Sequence, residues 1–270
     1  MQQLLTAAQL SWMVYQSNEL ATCEALALDF DSVKHFGGDS GTHCMLAIRG
    51  DEAWIAFRGT EWCDVVDLIR NVQFWPVSSP IESSSKSRVF RGFLLSAQEF
   101  YQQIRHAVIH IDRVFVTGHS QGAAVAGIVA TMLGFARSLI GLNQPVFIGF
   151  GCPKFGTKAF NQSLVQYTDA TLVTHRSDPV PWLPLWPYCT APATRIHFTS
   201  DGVLSPYTTR GYFHDQWRGM LRFSANVATR VLKTGKILRS IVSTIEENGS
   251  HLMSFYLASC SELSTEGKPA

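Results

Sequence analysis

The sequence predicts an α/β fold, with a central, mostly parallel sheet flanked by helices. Three observations predict it. Apolar strand-like runs alternate with helical stretches along most of the 270 residues, which is the pattern of a parallel sheet covered on both faces. One such run, Val114-Phe115-Val116, feeds Gly118-His119-Ser120-Gln121-Gly122 and then the small-residue stretch Ala123 to Gly127. The residues with the chemistry of an active centre, Ser120, Thr60 and Asp178, each follow a predicted strand. Sheets of this kind keep their functional groups in loops at those ends.

Composition bounds the reading. Hydrophobic residues make up 46% of the chain, enough for a substantial core, and the formal net charge is +1. That balance implies no bulk attraction to nucleic acid. The longest apolar run, Ala123 to Ala136, is shorter than the roughly 20 residues a bilayer span needs, and suits a buried helix. Met1-Gln2-Gln3-Leu4-Leu5 has neither a basic n-region nor a cleavage site. The expectation is therefore a chain without a secretory signal, cytoplasmic or exported by a leaderless route, with a peripheral place at membranes as an option that rests on the basic insertion described below. Cys23, Cys44, Cys63, Cys152, Cys189 and Cys260 have neither disulfide-framework nor zinc spacing. They read as mostly buried free thiols, and no metal or other cofactor is expected. The expected organisation is one domain over 1–260, a basic helical insertion at about 213–245, and a polar tail over 261–270.

In chain order, Leu4, Leu5, Ala8, Trp12 and Tyr15 recur at helical spacing, so residues 4–20 read as an outer helix. Trp12 and Tyr15 are taken as plain core packing. Met45 to Ile48 and Ala53 to Phe57 read as two strands about the turn Arg49-Gly50-Asp51-Glu52. Glu61 to Asn71 reads as a short helix, ended by Phe74-Trp75-Pro76-Val77. Ser78 to Ser87, with six serines and one proline, reads as a flexible surface loop. A helix over about 92–107 precedes the Val114 strand. Gln144 to Gly151 and Ala170 to His175 are further strands, and Arg195 to Phe198 is another.

A serine hydroxyl attacks only when a base takes its proton and donors hold the oxyanion. A tight strand-to-helix turn presents that hydroxyl at the top of a sheet, and small neighbours let strand and helix approach. Ser120 is the candidate nucleophile, with Gly118 and Gly122 as those neighbours, and the Gln121 N–H as first oxyanion donor. Thr60, in Arg58-Gly59-Thr60, is either an ordinary turn residue or the second donor; sequence physics leaves both open. Asp178, in Arg176-Ser177-Asp178-Pro179, fits an acid placed after a strand and fixed by the following proline. His197 lies in a strand and reads as a packed histidine. His214 and His251 both follow the acid, as the base does behind a turn of this kind, and spacing leaves both open.

Taken together, these segments resemble the class 3 lipases, the fungal-type triacylglycerol lipase family of α/β hydrolases, from about residue 45 to 257. Ala56-Phe57-Arg58-Gly59-Thr60 resembles the family's oxyanion segment, and Glu61 to Val77 its lid helix and the strand after it. Val89-Phe90-Arg91-Gly92-Phe93 is similar to its Val-His-x-Gly-Phe. Gly151 to Gly156 is similar to its Gly-Ser-Pro-Arg-x-Gly, and Thr174 to Pro184 to its acid segment. His251-Leu252-Met253-Ser254-Phe255-Tyr256 resembles its histidine followed by an aromatic pair. The resemblance implies a triad of Ser120, Asp178 and His251, with Thr60 and Gln121 as oxyanion donors and no cofactor. Trp62, Val65, Val66, Leu68, Ile69 and Trp75 are then candidates for lid and acyl groove. Departures stand at Phe90 (usually His), Gln121 (often Leu), Ala123 (often Gly) and Cys152 (usually Ser).

The implied activity is hydrolysis of acyl esters of lipids through an acyl-enzyme. A phospholipase A-type enzyme or a short-chain carboxylesterase is the alternative within enzymes, and a non-catalytic lipid-binding module the alternative outside them. From Gln216 to Ile245 the chain carries Arg218, Arg222, Arg230, Lys233, Lys236 and Arg239 and no acidic residue. Met220, Phe223, Val227, Val231, Leu238, Ile241 and Ile245 fall on the other side of a helical wheel. The plain reading is a surface helix packed by its apolar face, interrupted at Gly219 and Gly235. The functional reading is peripheral docking on an anionic lipid surface.

Overall fold

The computed structural model describes residues 1–38, 42–59, 75–81, 86–176, 178–184, 187–199, 204–206 and 253–266, with scattered helical positions between 217 and 233. The chain runs α1 (Gln2–Met13), α2 (Asn18–Leu26), β1 (Ser32–Gly37), β2 (His43–Arg49), β3 (Glu52–Phe57), β4 (Pro76–Ser78) and β5 (Arg88–Phe90). It continues through α3 (Arg91–Val108), β6 (Arg113–His119), α4 (Gln121–Ser138), β7 (Val146–Phe150), α5 (Lys158–Tyr167) and β8 (Asp169–His175). A 3-10 turn at Val180–Trp182 precedes β9 (Thr194–Phe198), β10 (Leu204–Pro206) and α6 (Met253–Glu266).

The main sheet has eight strands in the order β1-β2-β3-β6-β7-β8-β9-β10. The five from β3 to β9 are parallel. β1 and β2 extend one edge antiparallel and β10 the other. β4 and β5 form a separate two-stranded ribbon. Every residue of β3 is buried, as expected for a strand covered on both faces. Its register pairs Phe57 with Gly118 of β6, which sets the Arg58-Gly59 strand end beside the Ser120 turn.

Strand alternation divides the core. Val114 and Val116 point to the face carrying α3, α4 and α5, together with Phe57, Phe100, Phe147 and Phe160. Phe115 points to the face carrying α1, α2 and α6, together with Trp54, Phe150 and Tyr256. Trp54 stacks on Phe115 with ring centroids 4.0 Å apart. Burying side chains of this size contributes about 1.5–3 kcal/mol each, so both faces are firmly covered.

The structure differs from the sequence reading in several places. The helix expected over 4–20 is two, because Ser17 caps α2 by accepting the Leu20 N–H at 3.3 Å. Trp12 is 37% exposed rather than core. β1, β10 and α5 were not anticipated. The serine-rich loop is tied at its described ends: Ser79 N–H donates to the Ser87 carbonyl at 2.9 Å and Ile81 is buried; residues 82–85 lie outside the described residues. The tail boundary at 260/261 falls inside α6, because Leu257 and Leu263 both pack on the second core face.

The helix at 61–71 lies outside the described residues. In the 213–245 insertion, Trp217, Leu221, Arg230, Leu232 and Lys233 are helical. The other charged and apolar positions singled out there lie outside the described residues. Among the described residues, no helix is long and apolar enough to cross a membrane.

Candidate active site

Ser120 stands between the end of β6 and the start of α4 with φ 57 and ψ −127. A non-glycine residue with positive φ is strained, and such strain collects at functional turns. The turn is held from outside: the Ser120 N–H donates to the Phe150 carbonyl at 2.9 Å. A Cβ on Gly118 would sit 2.6 Å from the Gly122 carbonyl carbon and oxygen, so β6 and α4 close on each other because Gly118 has none; a Cβ on Gly122 would overlap the Phe57 carbonyl oxygen, so α4 also needs glycine there to lie against the end of β3. Ser120 is 5% exposed, and its hydroxyl makes no cap bond to its own helix. Gln121 follows in the first turn of α4, where amides have no intrahelical acceptor and the dipole favours negative charge.

The strand end expected to carry the second oxyanion donor lies against this turn. A Cβ on Gly59 would sit 2.6 Å from the His119 carbonyl oxygen and 3.3 Å from the Ser120 Cβ. Gly59 N–H donates to the Tyr15 hydroxyl at 3.0 Å. The same hydroxyl pairs with His119 Nδ1 at 2.9 Å, and the Arg58 guanidinium lies over the Tyr15 ring at 5.6 Å. Tyr15 is therefore not plain core packing: its hydroxyl joins Gly59, at the end of β3, to His119, the residue before Ser120. A partly buried phenol needs a polar partner, and that requirement was the available signal.

Asp178 is fully buried. Its Oδ1 accepts the Val180 N–H at 2.9 Å, and its Oδ2 accepts the Tyr256 hydroxyl at 2.6 Å. Tyr256 comes from α6 and is itself fully buried. Burial, and then the Asp178 charge, push its phenol well above the ordinary range, so it stays protonated and donates. Its ring lies 5.8 Å from His119 and 5.4 Å from His175. One side chain thus touches both the acid and the neighbour of Ser120. The sequence reading named Tyr256 only as part of an aromatic pair.

Of the expected site residues, Ser120, Gln121 and Asp178 are described, and all three are buried at the carboxyl ends of β6 and β8. Trp75 is 68% exposed at the start of the β4–β5 ribbon. Thr60, Trp62, Val65, Val66, Leu68, Ile69, His214 and His251 lie outside the described residues. His197 is buried, with Thr174 Oγ1 2.9 Å from its Nδ1. The departures from the family pattern are absorbed by packing: Phe90 stacks on Phe93 at 4.3 Å, and the buried Cys152 thiol donates to the Pro153 carbonyl at 3.3 Å. Burial raises that thiol's pKa far above its ordinary value, so it stays neutral. Among the described residues, no three His, Cys, Asp or Glu side chains converge as a metal site would need.

Comparison with known proteins places this geometry. A family model for class 3 lipases matches residues 54–188. The triacylglyceride lipase of Rhizomucor miehei superposes with a TM-score of 0.62 at 25% identity, over 74% of this chain and 80% of that one. A triacylglycerol lipase whose catalytic centre is a serine-protease triad gives 0.61 at 24% identity, over 74% and 80%. A lipase from Rhizopus microsporus var. chinensis gives 0.59 at 21%, over 73% of each chain. A comparison with curated protein sequences finds no match. With a family model matching half of the chain and a triacylglyceride lipase superposing over most of it, the chain belongs to the class 3 lipase family, carboxylic ester hydrolases on the α/β-hydrolase fold.

Proposed function

We propose that the protein hydrolyses acyl esters of lipids, triacylglycerols first among them, through a Ser120–His251–Asp178 triad and an acyl-enzyme. Ser120 attacks the ester carbonyl, His251 takes the proton and returns it to the leaving alcohol, and Asp178 orients the imidazole. Thr60 and Gln121 hold the oxyanion. Water then cleaves the acyl-enzyme. The observation that carries the reading is the strained Ser120 turn, with a hydroxyl not spent on capping α4. His251 is preferred over His214 because Tyr256, five positions later in sequence, already reaches Asp178. Residues 61–71, with Trp75, serve in this reading as lid and acyl groove.

The test is turnover of soluble esters, triacylglycerols and phospholipids by wild type, Ser120→Ala, His251→Ala and His214→Ala, with fluorophosphonate labelling of the folded protein. Loss in the first two variants and retention in the third is expected. Each loss should be about a thousandfold or more, since triad members act as a unit. Loss in His214→Ala alone reassigns the base. No labelling of Ser120 identifies a non-catalytic lipid-binding module instead.

We further infer that the lipid is met at a surface. Trp217, Leu221 and Leu232 are 58%, 50% and 88% exposed on helical positions within the basic stretch, a composition suited to anionic interfaces. Unchanged binding to anionic vesicles after charge reversal at Arg218, Lys233 and Lys236 would refute this.

A further inference from the structure

α1 lies on the sheet face that it shares with α2 and α6. Side chains alternate along a strand, so Phe115, Thr117 and His119 of β6 all point toward that face. Phe115 stacks on Trp54. Thr117 stands between two apolar register partners, Ala56 of β3 and Ile148 of β7. Its hydroxyl donates to the Ile148 carbonyl at 2.8 Å and lies 2.9 Å from the Ser11 hydroxyl of α1. A threonine hydroxyl has one proton. That proton goes to a carbonyl, which can only accept, so Ser11 is the donor of the other bond. Both hydroxyls are buried, and they form one directed chain from Ser11 through Thr117 to the Ile148 carbonyl.

Apolar packing alone does not fix where α1 sits. Ala7, Ala8, Leu10 and Met13 are buried on this face, and apolar burial has no preferred direction. Two directional contacts do fix it. Ser11 meets Thr117, and Tyr15, in the turn that ends α1, meets His119 at 2.9 Å. Ser11 and Tyr15 are four residues apart, roughly 6 Å along a helix. Thr117 and His119 are two residues apart, roughly 6.6 Å along a strand. The spacings match, so one register of α1 on β6 satisfies both contacts and a shift by one residue loses both. A buried hydroxyl pair adds little net stability over apolar groups of the same shape. What a satisfied buried network adds is a unique arrangement.

We propose that Ser11 and Thr117 are positioning residues for Ser120: their hydroxyl chain fixes the register of α1 on β6, and Tyr15 carries that register to the site. The Tyr15 hydroxyl accepts the Gly59 N–H at 3.0 Å and pairs with His119, so the place of α1 sets the end of β3 against the residue before Ser120. Thr117 also fastens β6 to β7 just ahead of the strained turn. Its acceptor, the Ile148 carbonyl, is two residues before the Phe150 carbonyl that holds the Ser120 N–H. Strain of this kind persists where the surroundings over-determine it, and a small displacement at a reacting centre lowers turnover. The effect on turnover rests on Ser120 being the nucleophile, as proposed above; the register does not.

The test compares the wild-type chain with two variants. Ser11→Ala combined with Thr117→Val replaces the hydroxyl pair by apolar groups, whereas Thr117→Ser keeps the hydroxyl and loses a methyl. Kinetics on a soluble ester, melting temperature and hydrogen exchange at the Gly59 amide are read for each. The double variant is expected to melt at or above the wild-type temperature and yet to lose about fivefold or more in kcat at constant KM. Its Gly59 amide should exchange about tenfold faster, with the amides of β8 and β9 unchanged. Thr117→Ser is expected to melt lower, from the lost buried methyl, and to keep kcat and Gly59 exchange near wild type. Activity that follows melting temperature in both variants marks a purely structural role and overturns the proposal. So does a folded double variant with wild-type kcat and Gly59 exchange. If the wild-type chain neither turns over esters nor labels at Ser120, the hydrolase reading fails by itself, and Gly59 exchange still decides whether the hydroxyl pair sets the register.

Discussion

The Tyr256 hydroxyl donates at 2.6 Å to a carboxylate with no solvent exposure. A hydrogen bond to a buried charged acceptor contributes roughly 1.5–3 kcal/mol. Without it, Asp178 keeps the Val180 amide but loses the bond that fixes its second oxygen. If Asp178 orients the imidazole as proposed, Tyr256→Phe should therefore lower kcat about tenfold or more on a soluble ester and leave KM nearly unchanged, because the loss then falls on that orientation rather than on substrate binding. The phenol's pKa is raised by burial and by the Asp178 charge, so it remains protonated and the loss should be constant across neutral pH. Tyr15 acts one step further out. Its hydroxyl accepts the Gly59 N–H and pairs with His119, neutral bonds worth about 1 kcal/mol. Tyr15→Phe should cost about fivefold in kcat, again at constant KM. Steady-state kinetics of both variants and their double mutant checks this; an effect on KM alone would place these hydroxyls in substrate binding.

Among the elements, β6 and α4 were legible in the sequence because one residue pattern serves every level there: a β-branched strand, glycines where backbones touch, and small residues along a buried helix. β1 was not legible. Its burial alternates weakly, and among the described residues it pairs only with β2, so tertiary pairing rather than propensity makes it a strand. α5 was missed although Phe160 and Leu164 stand at helical spacing, because it is a short ten-residue helix whose N-cap, Thr157, makes no side-chain cap bond that would mark its start. The site divides the same way. Ser120 and Asp178 follow from local motifs, whereas Tyr15 and Tyr256 act across 104 and 78 positions of chain, separations at which no local pattern speaks. Arg137 belongs to this second kind. It sits inside α4, fully buried, and donates to the carbonyls of Asn143, Val108, Ile109, Ile111 and Asp112. One guanidinium thus closes the end of α3 and the loops leading into β6 and β7. Arg137→Met strands several carbonyls at about 1–3 kcal/mol each, so a loss of about 3 kcal/mol or more in urea unfolding is expected. Arg137→Lys should rescue little of it, since a point donor cannot reach carbonyls on several sides.

For the molecule as a whole, pH reports on both core faces together. Cys44 and Cys152 lie on the α3–α5 face with Tyr188, and Cys260 and Tyr256 on the opposite one. Burial pushes all five up: Cys260 and Tyr188 to about 12, Cys44 and Cys152 far above the ordinary thiol range, and Tyr256, with the Asp178 charge adding to burial, well above the ordinary phenol range. An unfolded chain loses these protons near its ordinary values, about 9 for a thiol and 10 for a phenol. Below pH 9 both states hold them, and the groups add no slope. From about pH 9 to 12 the unfolded chain has released protons that the fold retains, so stability falls as pH rises, by about 1.4 kcal/mol per unit for each group. By about pH 11 the three thiols alone remove roughly 8 kcal/mol, comparable to the roughly 5–15 kcal/mol stability of a typical domain. The urea midpoint, measured under reductant, should therefore be insensitive to these groups from neutrality to about pH 8.5 and collapse near pH 11. Because the groups sit on both faces of one sheet, tryptophan fluorescence and far-UV circular dichroism should report one coincident transition. Two separated transitions would mean that the faces unfold independently, and a flat profile through pH 11 would mean that the thiols reach solvent in the folded chain.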